Sequence, residues 1–205
     1  LGIGVGFDTL GAGTLIVQSP EFTNETFVIP DSREGWVDSV KILLNGFFYG
    51  AKVPTFDYSA IRPYGAPIHG FGGTSSGSGP LEELHASLSE LYTARFGNPI
   101  TSVDIVDTEN LIGRCVVAGN VRRSAALALG NHEDLDYLQM KNDPEKLAHH
   151  RWGSNNSFHA IVGQDYTWHA EQSQKNGEPG YIWLDNARTR GRFADPPRDD
   201  DKNVM

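Results

Sequence analysis

Segments of helical period alternate with short apolar runs along this chain, and that alternation narrows the folds open to it more than any other feature. Leu81, Leu84, Leu88 and Leu91 recur at spacings of three and four, which lines one face of a helix of about four turns, and Gly97 follows as a stop. Trp36, Val37, Val40, Leu43, Leu44 and Phe47 repeat at the same period behind Asp31-Ser-Arg-Glu34, where an acceptor precedes a glutamate by three residues as in a capping box. That pattern predicts a helix to about Phe48. Ser102–Ala118, with Val103, Val106 and Leu111 on one side, and Asp134–Lys141 predict two more. Between the helices, Thr14–Gln18, Glu25–Pro30, Pro54–Ser59, Ser124–Leu129, Ser157–Val162 and Gly180–Leu184 read as strands. Strands interleaved with helices form a largely parallel sheet, so the fold class is α/β.

Two stretches resist regular structure. Gly2, Gly4, Gly6, Gly11 and Gly13 make residues 1–13 a glycine loop that can bring backbone N–H groups close to a phosphate or ribose. Neither a strand before it nor a helix after it supports a dinucleotide fingerprint. Ile61–Pro80 is dense in glycine, proline and serine. A flexible linker is the plain reading, but Arg62, His69, Pro63, Pro67 and two aromatics make an ordered binding loop the better one.

The residues with the most chemical content lie further on. Arg122 and Arg123 follow the Gly119-Asn120 turn, and arginine presents a planar fork of donors that matches phosphate oxygens. In Arg151-Trp-Gly-Ser-Asn-Asn-Ser157, three amide or hydroxyl side chains, Ser154, Asn155 and Asn156, follow a guanidinium and an indole. Such a row can read a base edge and stack on its face, so both stretches point to nucleotides. The net charge of −9 excludes a general nucleic-acid binder and confines these arginines to local sites. Cys115, the sole cysteine, rules out an internal disulfide, fits a cytoplasmic protein, and reads as a small buried thiol among Ile112, Val116 and Val117. His149 and His150 are adjacent, so they face apart on a helix, and no metal site is expected. No apolar run has the length of a membrane span. The leucine seam reads as packing on the chain's own core, with a docking surface as the sharper alternative.

The chain resembles the adenosylcobalamin-dependent (class II) ribonucleotide reductases, specifically the ribonucleoside-triphosphate reductases of monomeric type. The resemblance is carried by Gly2-Ile-Gly-Val-Gly-Phe-Asp8, Val28-Ile-Pro-Asp-Ser-Arg-Glu-Gly-Trp36, Phe56-Asp-Tyr-Ser59, Ile61-Arg-Pro-Tyr-Gly65 and Gly70-Phe-Gly-Gly-Thr-Ser-Ser-Gly77. Gly119-Asn-Val-Arg-Arg-Ser-Ala125, Arg151-Trp-Gly-Ser-Asn-Asn-Ser157 and Glu178-Pro-Gly180 continue it in the family's order. It implies part of a ten-stranded α/β barrel of the reductase large-subunit type, with flanking helices of an effector site. Residues 1–205 would then be a fragment of one catalytic barrel domain. Within it, 1–58 would hold the glycine loop and an inserted strand–helix segment, 59–130 the first specificity loop with the effector-site helices, and 131–205 the second specificity loop and following strands.

The resemblance further implies that Gly4, Gly6, Ser154, Asn155 and Asn156 meet a ribonucleoside triphosphate substrate, while Arg62, His69, Arg122, Arg123 and Arg151 meet deoxynucleoside triphosphate effectors. The implied reaction is thiyl-radical reduction started by adenosylcobalamin, with a thioredoxin-like reductant. The family places three cysteines in its active site, one in an Asn-Pro-Cys-x-Glu loop, and this chain has one cysteine and no such loop. The radical and redox cysteines are therefore expected outside it, no catalytic residue within it, and no turnover from it alone. Two rivals follow: a non-catalytic nucleotide-binding module of the same fold, and a reductase of the superfamily with another radical source.

Overall fold

A parallel strand pair needs a long crossover between its members, and the helices between this chain's strands supply one each time. The computed structural model describes residues 4–70, 72–119 and 124–190, so Arg122 and Arg123 lie outside the described residues. The chain order is β1 (Gly4–Asp8), β2 (Glu21–Val28), α1 (Arg33–Tyr49), β3 (Lys52–Asp57), α2 (Gly79–Arg95), α3 (Ser102–Val117), β4 (Ala125–Gly130), α4 (Leu135–Gln139), α5 (Pro144–His149), β5 (Ser154–His159), α6 (Thr167–Asn176), β6 (Gly180–Ile182) and α7 (Leu184–Arg190). These elements form two compact units: residues 13–100 with 111–124, and residues 4–12 with 101–110 and 125 onward.

In the first unit β2 and β3 pair in parallel, from Glu21 opposite Lys52 to Val28 opposite Asp57, with a register shift between Phe22 and Thr26. Helix α1 is the crossover between them. Its cap is Ser32, whose hydroxyl accepts the Gly35 N–H, one residue beyond the acceptor expected at Asp31. Gly50, at φ 65°, ends the helix in the left-handed region that glycine enters freely. A Cβ on Gly46 would stand 2.4 Å from Val53 Cγ2, so only glycine lets α1 sit this close to β3. Leu81, Leu84 and Leu88 of α2 are buried with Val17, Leu43, Phe47, Val53 and Tyr92. The leucine seam is thus core of this unit. Phe47 and Phe48 pack on Tyr92 with ring centroids 5.7 and 5.1 Å away.

The second unit is built on a four-stranded parallel sheet in the order β1-β4-β5-β6. One face is covered: Ala128 and Phe158 are fully buried there with Val106, Tyr137, Leu138, Met140 and Ala160, flanked by Phe7, Val103, Tyr166, Trp168 and Tyr181. Tyr137 fastens helix to sheet, its hydroxyl lying 2.8 Å from both the Ala128 and the Ser157 carbonyl oxygens. The α/β class with parallel strands stands as expected from the alternation.

Several local expectations change. The glycine-rich start is strand β1 from Gly4 to Asp8, because pairing with Ala125–Leu129 satisfies its backbone whatever its side chains. Strand β5 begins at Ser154, three residues before the expected Ser157. Thr14–Gln18 forms only an isolated bridge, Ile16 to Pro99. Helices α5, α6 and α7 had no clear periodic signal, since few of their residues are buried.

Candidate functional site

Two places gather the residues singled out by the sequence, one in each unit. In the first unit, the described residues of 61–78 form a loop tied by its own backbone hydrogen bonds. Gly65 N–H donates to Ser75 O, Ser75 N–H to Ala66 O, and Ile68 N–H to Gly73 O. Ser75 Oγ accepts the Gly77 N–H at 3.0 Å and lies 3.3 Å from Arg62 O. Gly77, at φ 71°, brings its Cα against Tyr64, where an added Cβ would lie 3.1 Å from the Tyr64 nitrogen. This loop, the start of α1 and the end of α3 enclose a cavity of about 250 Å³ lined by Asp31, Arg33, Trp36, Arg62, Ser76 and Cys115, among others.

The cavity offers an indole, hydroxyls and two guanidinium groups, Arg33 paired with Glu34 and Arg62 with Asp31, a set that suits an anionic aromatic ligand. Arg62 is held by Asp31, Nε to Oδ2 at 2.6 Å, leaving it one-third exposed. Cys115 lines the wall as a half-buried thiol, pushed up to about 11 by burial and secondarily by the Glu83 charge, so it stays protonated at neutral pH. His69 is exposed on the loop and does not line the cavity.

In the second unit the sheet's other face is left open. Parallel register puts Gly6, Leu127 and Asn155 in one row, and Asp8, Leu129, Ser157 and Gly180 in a row further along on the same face. Gly4, Gly6 and Asn155 are exposed, and a Cβ built on Gly6 meets nothing within 4 Å. A ligand can therefore reach the β1 backbone, and the Asn155 amide stands two strands away on the same face, across Leu127 of β4. Gly180 is tight: a Cβ there would lie 2.6 Å from Ser157 Oγ. His159 shares this side, its Nε2 buried without a hydrogen-bond partner.

The strand's alternation splits the expected base-reading trio. Asn155 points to the open face, whereas Ser154 and Asn156 are buried on the other side, Ser154 Oγ donating to Asn156 Oδ1 at 2.8 Å. Nor does Arg151 offer a free fork. Its Nε and Nη2 donate to Asp107 Oδ1 and Oδ2, each at 2.7 Å, its Nη1 donates to Met140 O, and only 4 % of it is exposed. His150 Nε2 lies 2.9 Å from Asp107 Oδ1. Burial pushes the Asp107 carboxyl up, but the Arg151 and His150 hydrogen bonds and charges outweigh it and hold the group below the usual carboxylate range. Beside this clasp, Lys141 Nζ pairs with Glu178 Oε2 at 2.8 Å and donates to Ser154 O, while Glu178 also accepts the Asn156 N–H at 3.2 Å. Among the described residues no group of three or more His, Cys, Asp or Glu could hold a metal.

Sequence reasoning missed Asp107, Trp36 and Asp31 as site residues. Asp31 and Trp36 carried a signal, since both flank the expected helix start and the cavity opens there. Asp107 had none, its partner being 44 residues away.

Residues 13–92, all within the first unit, match the family described as B12-dependent ribonucleotide reductase, insertion domain. The whole chain aligns with the adenosylcobalamin-dependent ribonucleoside-triphosphate reductase of Euglena gracilis at 45 % identity over 210 positions, 29 % of that protein. The enzyme of the same name from Lactobacillus acidophilus is 49 % identical over 183 positions, which are 84 % of this chain and 24 % of the relative. A crystal structure of a B12-dependent (class II) ribonucleotide reductase superposes with TM-score 0.74 and 34 % identity, over 90 % of this chain and 31 % of the other. The chain spans less than a third of the length of each of these relatives. Along its full length the chain is thus similar to B12-dependent, class II ribonucleotide reductases, and its residues 13–92 match the insertion domain described for them.

Proposed function

We propose that the polypeptide carrying this chain reduces ribonucleoside triphosphates to deoxyribonucleotides. The supporting observation is the alignment of the whole chain, at 45 % identity, with an enzyme named for that reaction. In this reading the open sheet face takes the substrate. Gly4 and Gly6 let the ribose and phosphates lie on bare backbone, and the Asn155 amide meets the base edge. The first-unit cavity takes an effector deoxynucleoside triphosphate, with Arg62 and Arg33 toward its phosphates and Trp36 offered to its base.

Adenosylcobalamin, when bound, supplies the radical that starts the reduction. The first-unit cavity, about 250 Å³, is too small for a corrin ring, so its residues do not hold the cofactor. In this reading Cys115 is a wall residue of the effector cavity and carries no thiol chemistry. The reducing cysteines and the contacts of a thioredoxin-like reductant belong to other segments, and the complete enzyme works as a monomer in the cytoplasm.

The test is anaerobic turnover by the full-length protein with ribonucleoside triphosphate, a dithiol and adenosylcobalamin. Deoxynucleotide formation that requires the cobalamin supports the reading. Nucleotide binding without cobalamin-dependent reduction would leave a binding module in its place.

A further inference from the structure

The turn that leads into β5 is tied to α3 at Asp107 and packs closely against it one helical turn further on. Asp107 of α3, 3 % exposed, accepts a bidentate hydrogen-bonded pair from Arg151, and His150 Nε2 lies 2.9 Å from its Oδ1. Three residues along α3, Asn110 is 1 % exposed and faces Gly153, where an added Cβ would lie 3.0 Å from Asn110 Oδ1. Arg151–Gly153 is a single tight turn, and Asn155 lies two residues past its end, directed to the open face.

A buried ion pair is a poor way to gain stability, because desolvation cancels much of the attraction and an apolar pair of equal volume does as well or better. What a bidentate pair does supply is a fixed angle and distance between two backbones. Here it fixes the turn against a continuous 16-residue helix. We propose that Asp107 is a positioning residue: through Arg151 and His150 it sets where the Asn155 amide stands on the substrate face, and so sets discrimination among nucleotide bases. The inference rests on the ribonucleotide-reductase reading above.

The experiment uses the full-length holoenzyme and compares kcat/KM for the four ribonucleoside triphosphates, with kcat and KM resolved. Asp107→Asn keeps the shape and removes the charge; Arg151→Lys keeps the charge and removes the fork. Both are expected to change the ratio between the best and worst base by about tenfold, mainly through KM, a size typical of one misplaced polar contact. Tyr137→Phe, which loses a buried hydroxyl bonded to the same sheet, is expected to lower thermal stability with the ratio unchanged. If Asp107→Asn does not fold, Asp107→Glu, which displaces the carboxylate by one methylene, takes its place beside Arg151→Lys. Unchanged base ratios in these variants, with the wild type active, overturn the positioning role alone. A wild type that reduces no ribonucleotide overturns both readings together.

Discussion

At the scale of single residues, the strongest energetic commitments are two buried polar clusters. Removing the carboxylate in Asp107→Ala would strand the Arg151 guanidinium away from water, and breaking a buried pair from one side costs about 3–5 kcal/mol. Replacing both partners by Leu and Met should recover most of that loss, which a double-mutant cycle by urea denaturation would measure. His85 is the second case. It bridges Tyr58, whose hydroxyl lies 2.7 Å from Nδ1, and Ser39, whose Oγ lies 3.1 Å from Nε2. Ser39 in turn donates to Trp36 O. One consistent proton arrangement has Tyr58 donating to Nδ1 and Nε2–H donating to Ser39, with the ring neutral.

Burial lowers the His85 imidazole to about 4 from 6.5. The unfolded chain therefore binds this proton first. The associated stability is complete above pH 6.5 and is lost as pH falls toward 4, amounting to about 3 kcal/mol. His85→Gln should flatten that limb of the stability–pH curve. A curve that keeps its slope in the variant would assign the acid sensitivity to other groups.

At the scale of elements, close packing depends on missing side chains at a few points. Gly130 ends β4 under the Tyr137 ring, where an added Cβ would stand 2.2 Å from Cε1. Gly130→Ala must displace either α4 or the strand, and overpacking of this kind costs about 1–3 kcal/mol. Leu88, fully buried in α2, should cost about 2–5 kcal/mol when cut to alanine. Thermal melts of the two variants would test the pair, and a neutral Gly130→Ala would mean that the helix yields freely. Strand alternation does more than pack. It turns a run of three polar residues into one outward reader, Asn155, and two internal ties, Ser154 and Asn156.

At the scale of the whole molecule, the two proposed nucleotide sites use different residues and should respond separately. Arg62→Ala removes a charged donor from the first-unit cavity, and losing such a contact weakens binding by about tenfold or more. Calorimetry should show that loss for effector deoxynucleotides, with the effector-free KM of the substrate unchanged. Equal loss at both would show that the arginine acts through stability. Asn155→Ala is expected to do the reverse, altering substrate preference while effector affinity holds.

Local rules, read from sequence, already determined the α/β class, the positions of α1, α2 and α3, the leucine seam as core, and a hydrogen-bonded loop ahead of α2. Helical periodicity and turn chemistry act within a few residues, so they are legible without a fold. The similarity to class II ribonucleotide reductases was legible too, because the motifs that carry it are continuous in the chain. Tertiary structure alone decided that the glycine-rich start is a strand, since its backbone partners are Ala125–Leu129, more than a hundred residues on. It alone decided that Asn155 faces outward between two buried neighbours, because register against β4 and β6 sets the face. And it alone spent Arg151 on Asp107: a guanidinium pairs with whichever carboxylate the fold brings within reach, and no spacing in the sequence announces which one that is.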